Sequence, residues 1–104
     1  MTTLGAILPS PLLPAVALRV VDDLSESAHR LDRRRMGAWA SFEQLAATAR
    51  FAAREGGYVG IARLAAARSR HFARQPGAWL HDRALAAYYR GLAIVLFRAA
   101  RWQS

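Results

Sequence analysis

The run Arg63-Leu-Ala-Ala-Ala-Arg68-Ser-Arg70-His71-Phe-Ala-Arg74 puts four guanidinium groups into twelve residues with no carboxylate among them. A guanidinium stays charged at any physiological pH. It offers a planar fork of donors that matches phosphate and carboxylate, and it stacks on aromatic rings. The chemistry this run suits is therefore recognition of an anion. Read at a helical period, Arg63, Arg70 and Arg74 fall within about 40° of one another. Such an amphipathic basic helix fits a major groove or a line of phosphates, an anionic lipid surface, or an acidic protein face. A solvated helix face gives the same pattern. Arg33-Arg34-Arg35 forms a second cluster. At the end of a helix it complements the macrodipole. It joins Arg63, Arg68, Arg70 and Arg74 as a candidate contact for nucleic acid or another acidic partner. Base reading adds Asn or Gln to Arg. The basic helix has only Gln75 at its end, so phosphate-dominated contact is expected.

Residues for bond-making are few. The imidazoles are His29, His71 and His81. Glu26 and His29 have the i,i+3 spacing of di-iron carboxylate bundles, but that site needs two such motifs and two further Glu. Only Glu43 and Glu55 remain, and neither has a His at that spacing. His81-Asp82 reads as the first turn of a helix, where Asp favours the dipole. The serines show no nucleophile elbow, and there is neither a dinucleotide fingerprint nor a P-loop. The expectation is a protein without catalytic activity, cofactor, metal or small-molecule substrate.

Aromatic side chains are numerous for a core of this size. Phe51, Phe97 and Tyr89 project off the apolar stripes of their helices. With Trp79 and Trp102 they form a candidate protein interface, since aromatics beside Arg are the composition of interface centres. A homo-oligomer or a subunit of a complex is expected on this ground.

Composition sets the frame. The chain has 104 residues, a net charge of +8, no Cys and no Lys. That length makes one domain with its own core, and without Cys there is no disulfide or thiolate metal site. GC-rich codon usage accounts for Arg replacing Lys. Residues 1–32 carry a net −2 and the rest a net +10, so an acidic partner would meet the second part. The first 18 residues lack charged side chains, and Ala15-Val16-Ala17 resembles a leader cleavage site. No basic region precedes it, however, and Pro9, Pro11 and Pro14 interrupt the apolar run. A secretory leader is not expected. The longest later apolar stretch, residues 91–97, is far short of the ~20 residues that cross a bilayer. A cytoplasmic protein follows, peripheral to a membrane if lipid is its partner.

Ala and Leu are dense, Val, Ile and Thr sparse, and no segment alternates strictly. The fold class is all-α: a compact bundle of about four helices within residues 14–104, preceded by an extended Pro-containing arm, 1–13. Helices are expected over 14–35, 42–55, 58–74 and 78–102. In the first, Leu13, Val16, Val20, Leu24, Ala28 and Leu31 line one face. In the second, Ser41 and Gln44 read as a capping box, with an earlier turn from Trp39 as the alternative, ahead of a stripe of Phe42, Leu45, Ala46, Ala49, Ala52 and Ala53. Tyr58, Ile61, Ala65 and Phe72 line the third. The fourth is apolar nearly all round, with Leu85, Tyr88, Leu92, Val95, Leu96 and Ala99 as its main face. The pattern Gly-x-[Trp/Tyr]-x5-Leu-Ala-Ala recurs at Gly37, Gly56 and Gly77. Gly supplies the break, the aromatic anchors the new helix, and similar punctuation of successive helices explains the recurrence.

The reading that follows is a small, basic, non-enzymatic helical binding protein that docks through its Arg-rich faces on an acidic partner, nucleic acid first. The alternative is an accessory subunit or adaptor of a larger protein assembly. An anionic membrane surface is the third candidate.

Overall fold

The computed structural model describes residues 13–32, 38–52, 57–75 and 80–103. Expectations for the N-terminal arm up to residue 12, for Arg33, Arg34, Arg35 and Trp79, and for Gly37, Gly56 and Gly77 lie outside them. The described chain is all-α, with four helices: α1 (Pro14–Asp32), α2 (Ala38–Ala52), α3 (Tyr58–Ala73) and α4 (Leu80–Gln103).

Paired side chains fix the directions. Asp22 Oδ1 meets Arg50 Nε at 2.8 Å, and His29 Nδ1 meets Glu43 Oε1 at 3.3 Å. Seven residues forward on α1 is seven back on α2, so the two are antiparallel. The Ser27 and Tyr88 hydroxyls bond, while Leu24 lies beside Gly91. The same counting makes α1 and α4 antiparallel. On the other side of α4, the Ser69 hydroxyl of α3 donates to the Ala86 carbonyl at 2.7 Å. α4 packs on all three other helices, whereas α1 and α3 are not neighbours among the described residues. These are the adjacencies of a four-helix bundle with α1 and α3 at opposite corners. Its thickness of 18 Å in the shortest dimension is about two layers of helices.

The core is built from alanines that let helix backbones approach and aromatics that fill what remains. Ala17, Val21 and Ala28 enter it from α1, and Trp39, Phe42, Leu45, Ala46 and Ala49 from α2. Tyr58, Ala62 and Ala65 come from α3, and Leu85, Tyr89, Leu92, Leu96 and Ala99 from α4. Phe42 is the hub of the rings. It lies 6.4 Å from Trp39, 5.6 Å from Tyr88 and 5.2 Å from Tyr89, each pair edge to face. Tyr89 then stacks on Phe72 of α3 at 5.8 Å. Such pairs are worth about 0.5–1.5 kcal/mol beyond their buried area.

Three expectations are corrected. α1 is turned about 60° from the face read in the sequence: Leu13 and Val16 stay 49% and 38% exposed while Ala17 and Val21 are fully buried. Small Cβ groups let α2 and α4 come close, and the larger Leu24 and Leu31 pack at the flanks. α2 starts at Ala38, so Ser41 is inside the helix and caps nothing. Burying Trp39 completely requires that earlier turn. The recurring pattern also divides. Trp39 and Tyr58 are both fully buried helix openers, and Leu45 and Leu85 are buried, but Leu64 is 44% exposed. The aromatic anchor is shared between these helices; the Leu-Ala-Ala environment is not.

Candidate functional site

α3 opens at Gly57, whose φ of −86° and ψ of 18° need no glycine. It closes at Arg74, whose N–H donates to the Arg70 and His71 carbonyls at 3.1 and 3.3 Å. Cations in this last turn complement the helix dipole. Tyr58, Ala62 and Ala65 face the core, so the helix period turns Arg63, Arg70 and Arg74 outward, and all three are exposed. The fourth arginine of the run does not join them. Arg68 lies about 140° round the helix from their common direction. It is half-buried, with its guanidinium carbon 5.8 Å from the centre of the Tyr89 ring.

α4 adds what the sequence reading left out of the site. Arg83 and Arg90 are seven residues apart, exposed, and on one side of the helix. They line a groove of about 300 Å³ with Ala86 and Ala87, and α3 contributes Ser69 and Ala73 to it. The helix period carries Arg70 about 60° beyond Ala73, so on α3 the exposed arginines begin past the groove's edge. The signal was present in the i,i+7 spacing of Arg83 and Arg90; only the packing of α3 on α4 shows that a groove separates the two stripes. Arg63, Arg70, Arg74, Arg83 and Arg90 have no carboxylate partner among the described residues. On the first hairpin, by contrast, Arg30 pairs with Glu26 and Arg50 with Asp22. Glu26 thus faces Arg30, and its i,i+3 neighbour His29 turns to Glu43. Gln75 is engaged as well, its amide nitrogen 2.9 Å from His71 Nε2.

The interface residues read from the sequence separate. Tyr89 is 1% exposed and belongs to the core, which corrects its placement off the stripe: α4 buries a wide arc because it touches three helices. Phe97 is half-buried against the same core. Phe51 and Trp102 lie in α2 and α4, but their side chains are outside the described set. No three His, Cys, Asp or Glu side chains among the described residues come together to hold a metal ion. No described helix is long and apolar enough to cross a membrane.

Two phenols are perturbed. Burial pushes Tyr58 above its ordinary value of 10.0, and its hydroxyl has no hydrogen-bond partner among the described residues. Burial also raises Tyr89, against a smaller opposing pull from the hydrogen bond and charge of Arg68. The chain has no Lys or Cys, and arginines stay charged beyond pH ~12, so tyrosines govern alkaline stability. A phenol with a raised folded pKa contributes stability that is complete below its unfolded value, near 10.0, and lost as pH rises through the folded one. Denaturation midpoints should fall above that pH. Tyr58→Phe should flatten the fall and, by deleting an unpartnered hydroxyl, raise neutral-pH stability by about 1 kcal/mol. Urea titrations of both proteins across this range check it.

No protein-family model, curated protein or solved structure matches the chain.

Proposed function

We propose that the α3–α4 hairpin is a docking surface for nucleic acid, held through its phosphates. One observation carries this reading. Residues 57–103 contain eight arginines against a single carboxylate, Asp82, and five of those arginines are exposed on the hairpin without an acidic partner among the described residues, Arg83 and Arg90 lining its groove. Like charges packed on one face repel one another, and a line of phosphates relieves that repulsion while releasing counterions. Guanidinium forks suit phosphate oxygens bidentately. With Gln75 turned to His71, the helix has no free amide for an adenine edge, so recognition rests on charge and shape. The protein is then a binding module that acts without bond-making.

Fluorescence anisotropy tests this with labelled single- and double-stranded oligonucleotides of mixed sequence, and with poly-glutamate as an acidic polypeptide. Binding to the oligonucleotides that weakens with salt, and exceeds binding to poly-glutamate, is expected. Tighter binding to poly-glutamate would move the proposal to an acidic protein partner. Absence of oligonucleotide binding at low salt ends it.

A further inference from the structure

Arg68 is set apart from the docking surface by the same geometry that buries it. It looks from α3 toward α2, where Ser41, Gln44, Leu45 and Thr48 join it around a pocket of about 190 Å³. Cofactor- and drug-sized ligands need ~300 Å³ or more, so this space suits one small charged group. The guanidinium carbon lies 5.8 Å from the centre of the Tyr89 ring, within cation–π reach. Tyr89 supplies no negative charge, since burial keeps the phenol neutral at ordinary pH. No carboxylate pairs with Arg68 among the described residues. A half-buried cation without a counter-ion is an arrangement that an anion stabilises.

The donors facing the pocket say which anion. The Thr48 hydroxyl is committed to the Gln44 carbonyl at 2.9 Å, which leaves the Ser41 hydroxyl and the Gln44 amide as donors on the α2 wall. Arg68 supplies its fork from the α3 wall. A planar carboxylate uses both oxygens on the fork alone. Donors on two walls match an ion with oxygens on more than one side. We infer that the pocket formed by Arg68, Ser41, Gln44 and Thr48 binds a single tetrahedral oxyanion of the phosphate class, independently of the α3–α4 docking face.

The test follows the Arg68 Nε–Hε resonance by NMR as inorganic phosphate, sulfate, acetate or a nucleoside monophosphate is added to the full chain. Phosphate and sulfate should give a saturable shift at Arg68 while Arg63 and Arg70 move little, and acetate should bind more weakly. Competition by the monophosphate places the anion on an ester; displacement by inorganic phosphate alone makes it a free ion. Both agree with the inference. Ser41→Ala with Gln44→Ala removes the α2 donors from exposed positions and should weaken phosphate by about tenfold or more. Arg68→Lys keeps the charge but loses the fork, and should weaken both anions, acetate the more because the fork is its only set of donors. Shifts shared equally by all arginines, acetate binding as well as phosphate, or an unchanged affinity in the Ser41/Gln44 variant would each overturn the site. Loss of oligonucleotide binding leaves it standing, because Arg68 is not on that face.

Discussion

With Arg63, Arg70 and Arg74 replaced together by alanine, affinity for duplex DNA is expected to fall by roughly 12-fold between 50 and 200 mM salt, against roughly 500-fold for the unaltered chain. The argument is a count of phosphate contacts. Five exposed arginines without acidic partners among the described residues stand on the α3–α4 hairpin, two of them lining its groove, and the logarithm of affinity changes with that of salt by about −0.9 per neutralised phosphate. Removing three leaves Arg83 and Arg90, and the slope drops from about −4.5 to about −1.8. The substitution isolates charge from folding. All three side chains are exposed and without acidic partners among the described residues, and alanine is at least as good a helix former as arginine. Circular dichroism and the denaturation midpoint should stay within the range of surface substitutions, about 0.5 kcal/mol per site. The same salt slope in both proteins would mean that this face does not meet the phosphates.

The placement of those three arginines was legible because α3 is a clean amphipathic helix. Tyr58, Ala65 and Phe72 mark one side, so the opposite side follows from the period alone. α2 was legible for the same reason: Phe42, Leu45, Ala46 and Ala49 of the stripe are buried, with Trp39 added by the earlier start. The other two helices resisted for physical reasons. α4 touches three partners, so its apolar residues run round most of its circumference, and periodicity alone does not separate Tyr89 from the surface. α1 carries apolar residues across a wide arc, and the choice among them depends on how closely neighbours approach; alanines win that choice at Ala17 and Ala28. Arg68 was legible only in part. The helical period already turns it away from the other three, but only Tyr89 of α4 and the polar edge of α2 show what it meets. The Ser41–Gln44 spacing has the form of a helix start, which Trp39 pre-empts. The same two side chains instead line the pocket wall.

The largest stability effect is expected at Phe42. The side chain is fully buried, and its ring meets Trp39 of its own helix and Tyr88 and Tyr89 of α4. Phe42→Ala should cost about 3–5 kcal/mol, the range for emptying a core aromatic site. The upper end is favoured here because the neighbours cannot close the gap: Ala46 and Ala49 have no reach, and Tyr88 is tied to the Ser27 hydroxyl. Against a total of about 5–15 kcal/mol for a domain of this kind, that loss leaves a sizeable unfolded fraction. Phe42→Leu keeps most of the volume and should cost less, yet it withdraws the ring edge that fixes Tyr89. Since the Tyr89 ring in turn lies against Arg68, Phe42→Leu should remain folded and bind phosphate at Arg68 less tightly, while oligonucleotide binding at the α3–α4 face stays unchanged. Urea denaturation, phosphate titration and anisotropy on the same preparation separate these effects. An unaltered phosphate affinity in Phe42→Leu would show that the aromatic chain supports the core without positioning Arg68.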